Sequence, residues 1–424
     1  MSVRQAVAPA KTGRGPRMFI ALGEPNFRAY VLGMLFSFLP MQMKQVAQGY
    51  LAFTLTDSAT ALGLVQLAWG IPQLTLTLFG GVIADRYERR RILMITQGLV
   101  ALLTAMTAVL IHTGLIQLWH LVVMAFIQGC IFAFNVPARQ GMLPQVLTER
   151  NLANGVALNN AGLNLTRVLG PGMAGAFIAI PFVGTAGVFY IMAASNLIAM
   201  ILISRLDLPK MDRVGSPEPM FSAIAGGFRY IRHSPVLPTL ILLAFVPILL
   251  GMPYQTLMPV FALEVMNVGS TGLGTLLMVS GLGALGGSLT VAALADYRRK
   301  ALLQIIAVVC FGLLLFLFAI SHNFWIALLL MPLIGATQNI YMALNSTLLM
   351  THTDREYLGR VMGIYMLTWA LTPVTTLPIA AAADMLSAPM VVAVLGLAVA
   401  GISILLAFAN SEYRAATERR EQTI

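Results

Sequence analysis

Lys44 and Arg167 fall inside long apolar stretches of this 424-residue chain, and their placement demands a chemical explanation. A cation in hydrocarbon costs about 3 kcal/mol even on permissive insertion scales, so it must face a partner or a water-filled cavity. Amides and hydroxyls accompany the two cations at helical spacing. Lys44, Gln45 and Gln48 share one arc of about 100° on a helix. Asn160, Asn164, Arg167 and Pro171 form a stripe at spacings of 4, 3 and 4. Gln338, Tyr341 and Asn345 align in a third stretch, and Tyr365, Thr368, Trp369, Thr372 and Thr376 in a fourth. Tyr254 and Gln255 lie between Pro253 and Pro259, and Gln128 interrupts a further apolar run. These residue types hold a polar or charged solute; they do not make or break bonds. Each amide alone reads equally well as a hydrogen bond between helices. The cations could also pack on backbone carbonyls or snorkel to an edge, which is harder for Lys44 near the middle of its stretch.

Carboxylates are absent from the centres of the apolar stretches. Asp57, Glu264 and Asp384 map to the ends of them. A cavity lined by cations favours anionic or neutral polar solutes, because a cationic one needs a buried acid as counter-charge. The same pattern leaves Asp57 and Glu264 as the available carriers of a coupling proton.

The elements that position these groups follow from composition. Hydrophobic residues make up 58% of the chain, charged residues 10%, and mean hydropathy is +0.83. Soluble domains average about 25% charged residues, so the chain is an all-α polytopic membrane protein. A ruler of about 20 apolar residues per span predicts twelve: 29–53, 59–83, 92–111, 117–138, 153–180, 184–204, 237–262, 269–294, 301–320, 323–346, 359–382 and 388–409. All of the 26 Lys and Arg except Lys44 and Arg167 are assigned to tails and alternate loops. That asymmetry predicts both termini in the cytoplasm. It also explains the net charge of +10 without nucleic acid.

Other chemistries find no support. The lysines at 11, 44, 210 and 300 do not sit in a GxxxxGK[ST] loop, and neither HExxH nor GxSxG occurs. No metal, cofactor or enzymatic activity is expected. Cys130 and Cys310 lie within predicted spans, so no disulfide framework is indicated.

The chain divides into an N-terminal tail (1–28), a six-span bundle (29–204), a linker (205–236), a second six-span bundle (237–409) and a C-terminal tail (410–424). Within the linker, Phe221, Ile224, Phe228 and Ile231 recur at helical spacing. They predict a short helix on the inner membrane surface, or one packed on the loops there. The halves echo each other: Ala84-Asp85-Arg86 returns as Ala295-Asp296 followed by Arg298, and Leu152-Ala153 as Leu358-Gly359 at nearly the same offset. Duplicated six-span units are a known design of transporters.

The densest charge cluster, Gly81-x-x-x-Asp85-Arg86-x-x-Arg89-Arg90, reads as a short aqueous loop and resembles the loop signature of the major facilitator superfamily. Asn135-x-Pro137-x-Arg139-Gln140 and Arg167-Val168-Leu169-Gly170-Pro171 are similar to the branch that holds the enterobactin exporter and macrolide-efflux proteins. The resemblance implies alternating access between two pseudo-symmetric bundles. It implies that Asp85 meets the start of span 11 near Gly359 and Arg360, that Arg89 pairs with an acid such as Glu149, and that Asp296 echoes Asp85 in the second half. Gly170-Pro171 matches the span 5 signature of antiporters. The expected activity is proton-coupled export of an amphipathic or siderophore-like small molecule by a monomer in the lipid bilayer. An importer or uncoupled facilitator is the alternative on the same fold, and a non-transporting receptor or lipid-handling protein the alternative of another class.

Overall fold

The computed structural model describes residues 17–142, 145–147, 151–206, 220–294, 297, 299–410 and 413; at 17–19, 78, 85, 153 and 220–225 it describes the backbone alone. Nearly all of it is helix, the form in which a chain satisfies its own backbone groups in lipid. The first half comprises α1 (Pro25–Thr56), α2 (Ala59–Arg86), α3 (Arg89–His112), α4 (Leu118–Met142), α5 (Leu152–Ala179) and α6 (Gly184–Ser204). After α7 (Met220–His233) come α8 (Leu237–Val246) and α9 (Tyr254–Val260), then α10 (Gly269–Ala293), α11 (Lys300–Ile320), α12 (Phe324–Thr351), α13 (Leu358–Leu386) and α14 (Ala388–Ala409). Among the described residues, nine segments are long and apolar enough to cross a membrane. The segments α1, α2 and α5 are as long, at 32, 28 and 28 residues, but carry much of the polar content.

Within the first half α2 packs on α4, α1 on α5 and α6, and α3 on α4 and α6. The second half repeats the scheme, with α10 on α12 and α11 on α12 and α14. Two seams join the halves, α2 with α13 and α5 with α10. Each hairpin turn is tight. Asp57 takes φ 46° between α1 and α2, and Ser387 takes φ 93° between α13 and α14.

Several expectations are corrected. The arginine-rich cluster is not a loop: α2 runs through Arg86, α3 begins at Arg89, and only Tyr87 and Glu88 lie between. Arg139 is not a loop residue either, because α4 continues to Met142. The seventh span reaches Val265, its prolines tolerated by two wide π-turns at Pro247–Gly251 and Phe261–Val265. The helix expected within the linker is present as α7, and it packs on the start of α13. Tyr230 stacks on Tyr357 at 4.2 Å, its hydroxyl donates to Asp354 at 3.0 Å, and Gly227 abuts Arg360. The side chains of Phe221 and Ile224 lie outside the described residues.

Candidate substrate cavity

A cavity of about 1060 Å³ lies between the halves and draws on both. Of the residues singled out in the sequence, Lys44, Gln45, Gln48, Gln128, Arg167, Pro171, Gln255, Gln338, Trp369, Thr372 and Thr376 line it. Lys44 on α1 donates to the Gln128 side-chain carbonyl on α4 and stands 5.9 Å from the centre of the Trp69 ring on α2. An amide and an aromatic face stabilise a cation without neutralising it. Gln45 donates to Gln255 at 3.3 Å, a bridge from one half to the other.

Arg139 is the residue that sequence reasoning missed. It sits one turn after Asn135 on α4, and both line the cavity. Its guanidinium donates to Asn135 Oδ1 at 2.6 Å and Ser37 Oγ at 3.1 Å, and lies 4.1 Å from the Phe38 ring centre. Its Nε is buried with no protein acceptor. Asn135 in turn donates to Thr96 at 2.7 Å, so the arginine is held by a polar network containing no acid. The i, i+4 spacing of Asn135 and Arg139 was the available signal. None of the described residues lining the cavity is a carboxylate.

Other sequence-predicted site residues lie elsewhere. Tyr254 and Tyr341 are buried in the second half, both against Phe311. Asn345 accepts from Gln304 at 2.6 Å, and Tyr413 donates to Gln304 at 3.0 Å, which ties α11, α12 and the chain beyond α14 together. Gln304 is thus 1% exposed. Thr368 is fully buried, donating to the Tyr365 carbonyl at 2.6 Å. Asn160 and Asn164 share a helix with Arg167 but do not line the cavity. Asp57 and Glu264 are exposed at the end opposite the arginine-rich turns, outside the cavity wall.

The seams reveal which end is closed. At the far end from the arginines, a Cβ added to Gly63 would lie 2.8 Å from Ala380, and one on Gly70 2.2 Å from Pro373. On the other seam, Gly175 and Gly274 approach so closely that a Cβ on either would meet the opposite backbone within 3.0 Å. Gly170 packs on Gln42 of α1. Toward the arginine-rich end contact among the described residues ceases: added Cβ atoms at Gly81, Gly286, Gly359 and Gly363 would meet nothing within 4 Å. The halves therefore diverge, and the cavity opens toward the arginines.

A single acid fastens the closed end. Asp384, at the end of α13, accepts from the backbone N–H of Ala59 at 2.6 Å and of Thr60 at 2.9 Å, and from the hydroxyls of Ser58 at 2.7 Å and Thr60 at 2.5 Å. These groups form the N-terminus of α2, where free N–H donors and the helix dipole favour an anion.

At the open end, Arg89 donates to the Gly141 carbonyl, and Arg90 donates to Leu206 O at 2.5 Å and pairs with Glu88 at 3.2 Å. Arg86 and Gly359 are exposed, and Arg360 lies over the Tyr357 ring at 5.3 Å. Glu149, Asp296 and the Asp85 side chain, which the gate expectation invokes, lie outside the described residues.

The sequence profile of the transmembrane secretion effector family, a branch of the major facilitator superfamily, matches residues 18–419. The chain belongs to that family. This major facilitator protein is a membrane transporter of small molecules and not an enzyme. It is 23% identical over 388 residues to a staphyloferrin A transporter of Staphylococcus aureus, covering 91% of this chain and 97% of that one. It is 27% identical over 348 residues to the enterobactin exporter EntS of Salmonella typhi, covering 80% and 81%. A multidrug efflux pump, Tap, of Mycolicibacterium fortuitum is 27% identical over 331 residues, covering 75% and 79%. In fold the transporter is similar to a mutant of the nucleoside transporter NupG, with TM-score 0.74 and 12% identity, covering 92% and 99%. It is also similar to a bacterial homologue of the lysosomal transporter Spinster in an inward-facing, unoccupied conformation, with TM-score 0.64 and 14% identity, covering 96% and 98%.

Proposed function

We propose that this transporter exports amphipathic, siderophore-like organic anions by alternating access, acting as a monomer in a bacterial cytoplasmic membrane with both termini in the cytoplasm. The observation that carries the reading is the cavity wall. Lys44, Arg139 and Arg167 line it together with amides, methionines and aromatic rings, and no described lining residue is acidic. Three positive groups without an acid make a site whose missing counter-charge is the solute. Methionine and tryptophan supply adaptable apolar surface for its carbon skeleton. Arginine-rich ends face the cytoplasm, so the cavity is open to the side from which an exported solute is loaded, and the direction itself rests on the relatives named for export and efflux. The relatives named for siderophores and for drug efflux fit the same reading.

Proton entry as the driving reaction has Asp57 and Glu264 as its carriers. Both sit outside the cavity wall, so a proton bound there competes with nothing in the site.

Inverted membrane vesicles test the proposal. They should take up carboxyfluorescein, an amphipathic organic anion, in the presence of the wild-type protein, and lose this uptake with Lys44→Ala and Arg139→Ala combined. Uptake of cationic ethidium with none of the anion would overturn it.

A further inference from the structure

We infer that the solute is a dianion bound lengthwise along the first half of the protein, Lys44 holding one anionic group and Arg139 the other, about 10 Å apart. The inference rests on the anion-export reading above and narrows the chemical class of the solute within it. Its basis is the spacing of the two cations along the helices that hold them.

Each cation is fixed between α1 and α4. Lys44 on α1 donates to Gln128 on α4, and Arg139 on α4 donates to Ser37 on α1 and to Asn135 on its own helix. These contacts form two rungs. On α1 the rungs stand at Ser37 and Lys44, and on α4 at Asn135 and Gln128. Both pairs are seven residues apart, which is two turns along one face of a helix and a rise of about 10 Å. Two helices of opposite direction thus agree on the separation. Because α4 ends beside Arg89 at the open end, the Arg139 rung lies nearer the mouth and the Lys44 rung deeper.

Neither rung is saturated. An ammonium carries three N–H donors, of which Gln128 takes one; a guanidinium carries five, of which Ser37 and Asn135 take two. Each cation also has an aromatic ring beside it, Trp69 for the lysine and Phe38 for the arginine. Arg167 stands at a level between them, since Gly170, one turn further along α5, packs on Gln42 of α1. The facing wall is different. The second half contributes Met252, Gln255, Gln338, Met342, Met366 and Trp369 among others, and none of its described lining residues is charged.

A solute with one anionic group leaves a rung without its counter-charge. A dianion lying across the cavity sets one charge against neutral amides and thioethers, which costs desolvation with no cation in return. A dianion lying along the first half gives each rung its partner and turns its carbon skeleton toward the methionines. Joining the two groups makes the second contact intramolecular, so two modest contacts combine into a strong one when the spacing matches. At ~1.2 Å per bond of an extended chain, the carboxyl groups of decanedioate lie about 11 Å apart and those of butanedioate about 4 Å.

The test is calorimetric binding to the purified full-length protein. The probes are decanedioate, butanedioate and monomethyl decanedioate, the last having the long skeleton with one charge removed. Wild-type protein should bind decanedioate about tenfold or more tightly than either of the others. Lys44→Gln and Arg139→Gln should each bring decanedioate down to the level of the monoester. Either variant alone should change monoester binding little, because a single charge keeps the other rung, and the two combined should abolish it. Equal wild-type affinities for decanedioate and its monoester overturn this inference while leaving anion export standing, and that comparison needs no variant to fold. Loss of monoester binding in one single variant, with none in the other, overturns it in the same way. Absence of binding by all three probes and by carboxyfluorescein overturns the export reading and this inference with it.

Discussion

Asp384 and Thr60 meet across the two halves, the carboxylate accepting both the backbone N–H and the hydroxyl of the threonine, at 2.9 and 2.5 Å. The contact exists only because α2 and α13 touch at the end away from the arginines. It is the inverse of the gate expected from Asp85: one aspartate ends α2 and was expected at the start of α13, the other ends α13 and sits at the start of α2. A gate at Asp85 as expected from the resemblance would need the opposite end closed from the one that Asp384 fastens.

Replacing Asp384 by Asn therefore weakens the closed far end. The site is solvent-facing, so a charge-assisted network of this kind is worth ~1 kcal/mol, or about a fivefold change in population. Spin labels at the far ends of α2 and α13 should report a larger separated fraction by distance measurement. An unchanged distribution would remove the latch from the mechanism.

The counterpart at the open end is tested with Asp85→Asn. Transport is expected to fall while the affinity for bound anion, measured by calorimetry on purified protein, stays near the wild-type value. A lost affinity with normal turnover contradicts the gate role.

Gly274→Leu addresses the second seam. A Cβ there would already lie 2.6 Å from the Pro171 carbonyl, so a larger side chain keeps α5 and α10 apart. The variant should insert and purify as a monodisperse protein yet carry out less than a tenth of wild-type transport. Normal transport would show that the seam closes some other way.

Asn345→Ala separates structural amides from those of the cavity. The Gln304–Asn345 bond is buried, and its loss leaves Gln304 short of a partner at a cost of about 1–3 kcal/mol. The expected result is a lower melting temperature with anion affinity unchanged. A selective loss of affinity would place Asn345 in the binding site after all.

Much of the cavity was legible in the sequence because lipid is an unforgiving solvent. Lys44 and Arg167 stand out in apolar stretches, and the amides beside Lys44 share its face. Arg139 escaped because a ruler of about 20 residues ends span 4 at Ala138, while the real helix runs a further turn to Met142. Tyr254 and Tyr341 were placed in the site because helical phase distinguishes an inner from an outer face, but not a cavity from a packed core. The π-turns at Pro247 and Phe261 also shift that phase midway along the seventh span. Asn345 satisfies the same pattern as a cavity amide, and only its partner on α11 distinguishes it. Asp384 gave no sequence signal of its role, since an acid at a span end is ordinary until its neighbour 324 residues away is known.

The turn between α1 and α2 consists of Asp57 and Ser58 alone. Asp384 grips the chain directly at this bend, through Ser58, Ala59 and Thr60. One leg of the hairpin carries Lys44 and the other carries Trp69, the ring that faces it. A pull at the bend is thus transmitted along two levers to the charge and to its aromatic support. The two-residue turn thus joins the latch of the closed end to both helices that carry the lysine and its aromatic support.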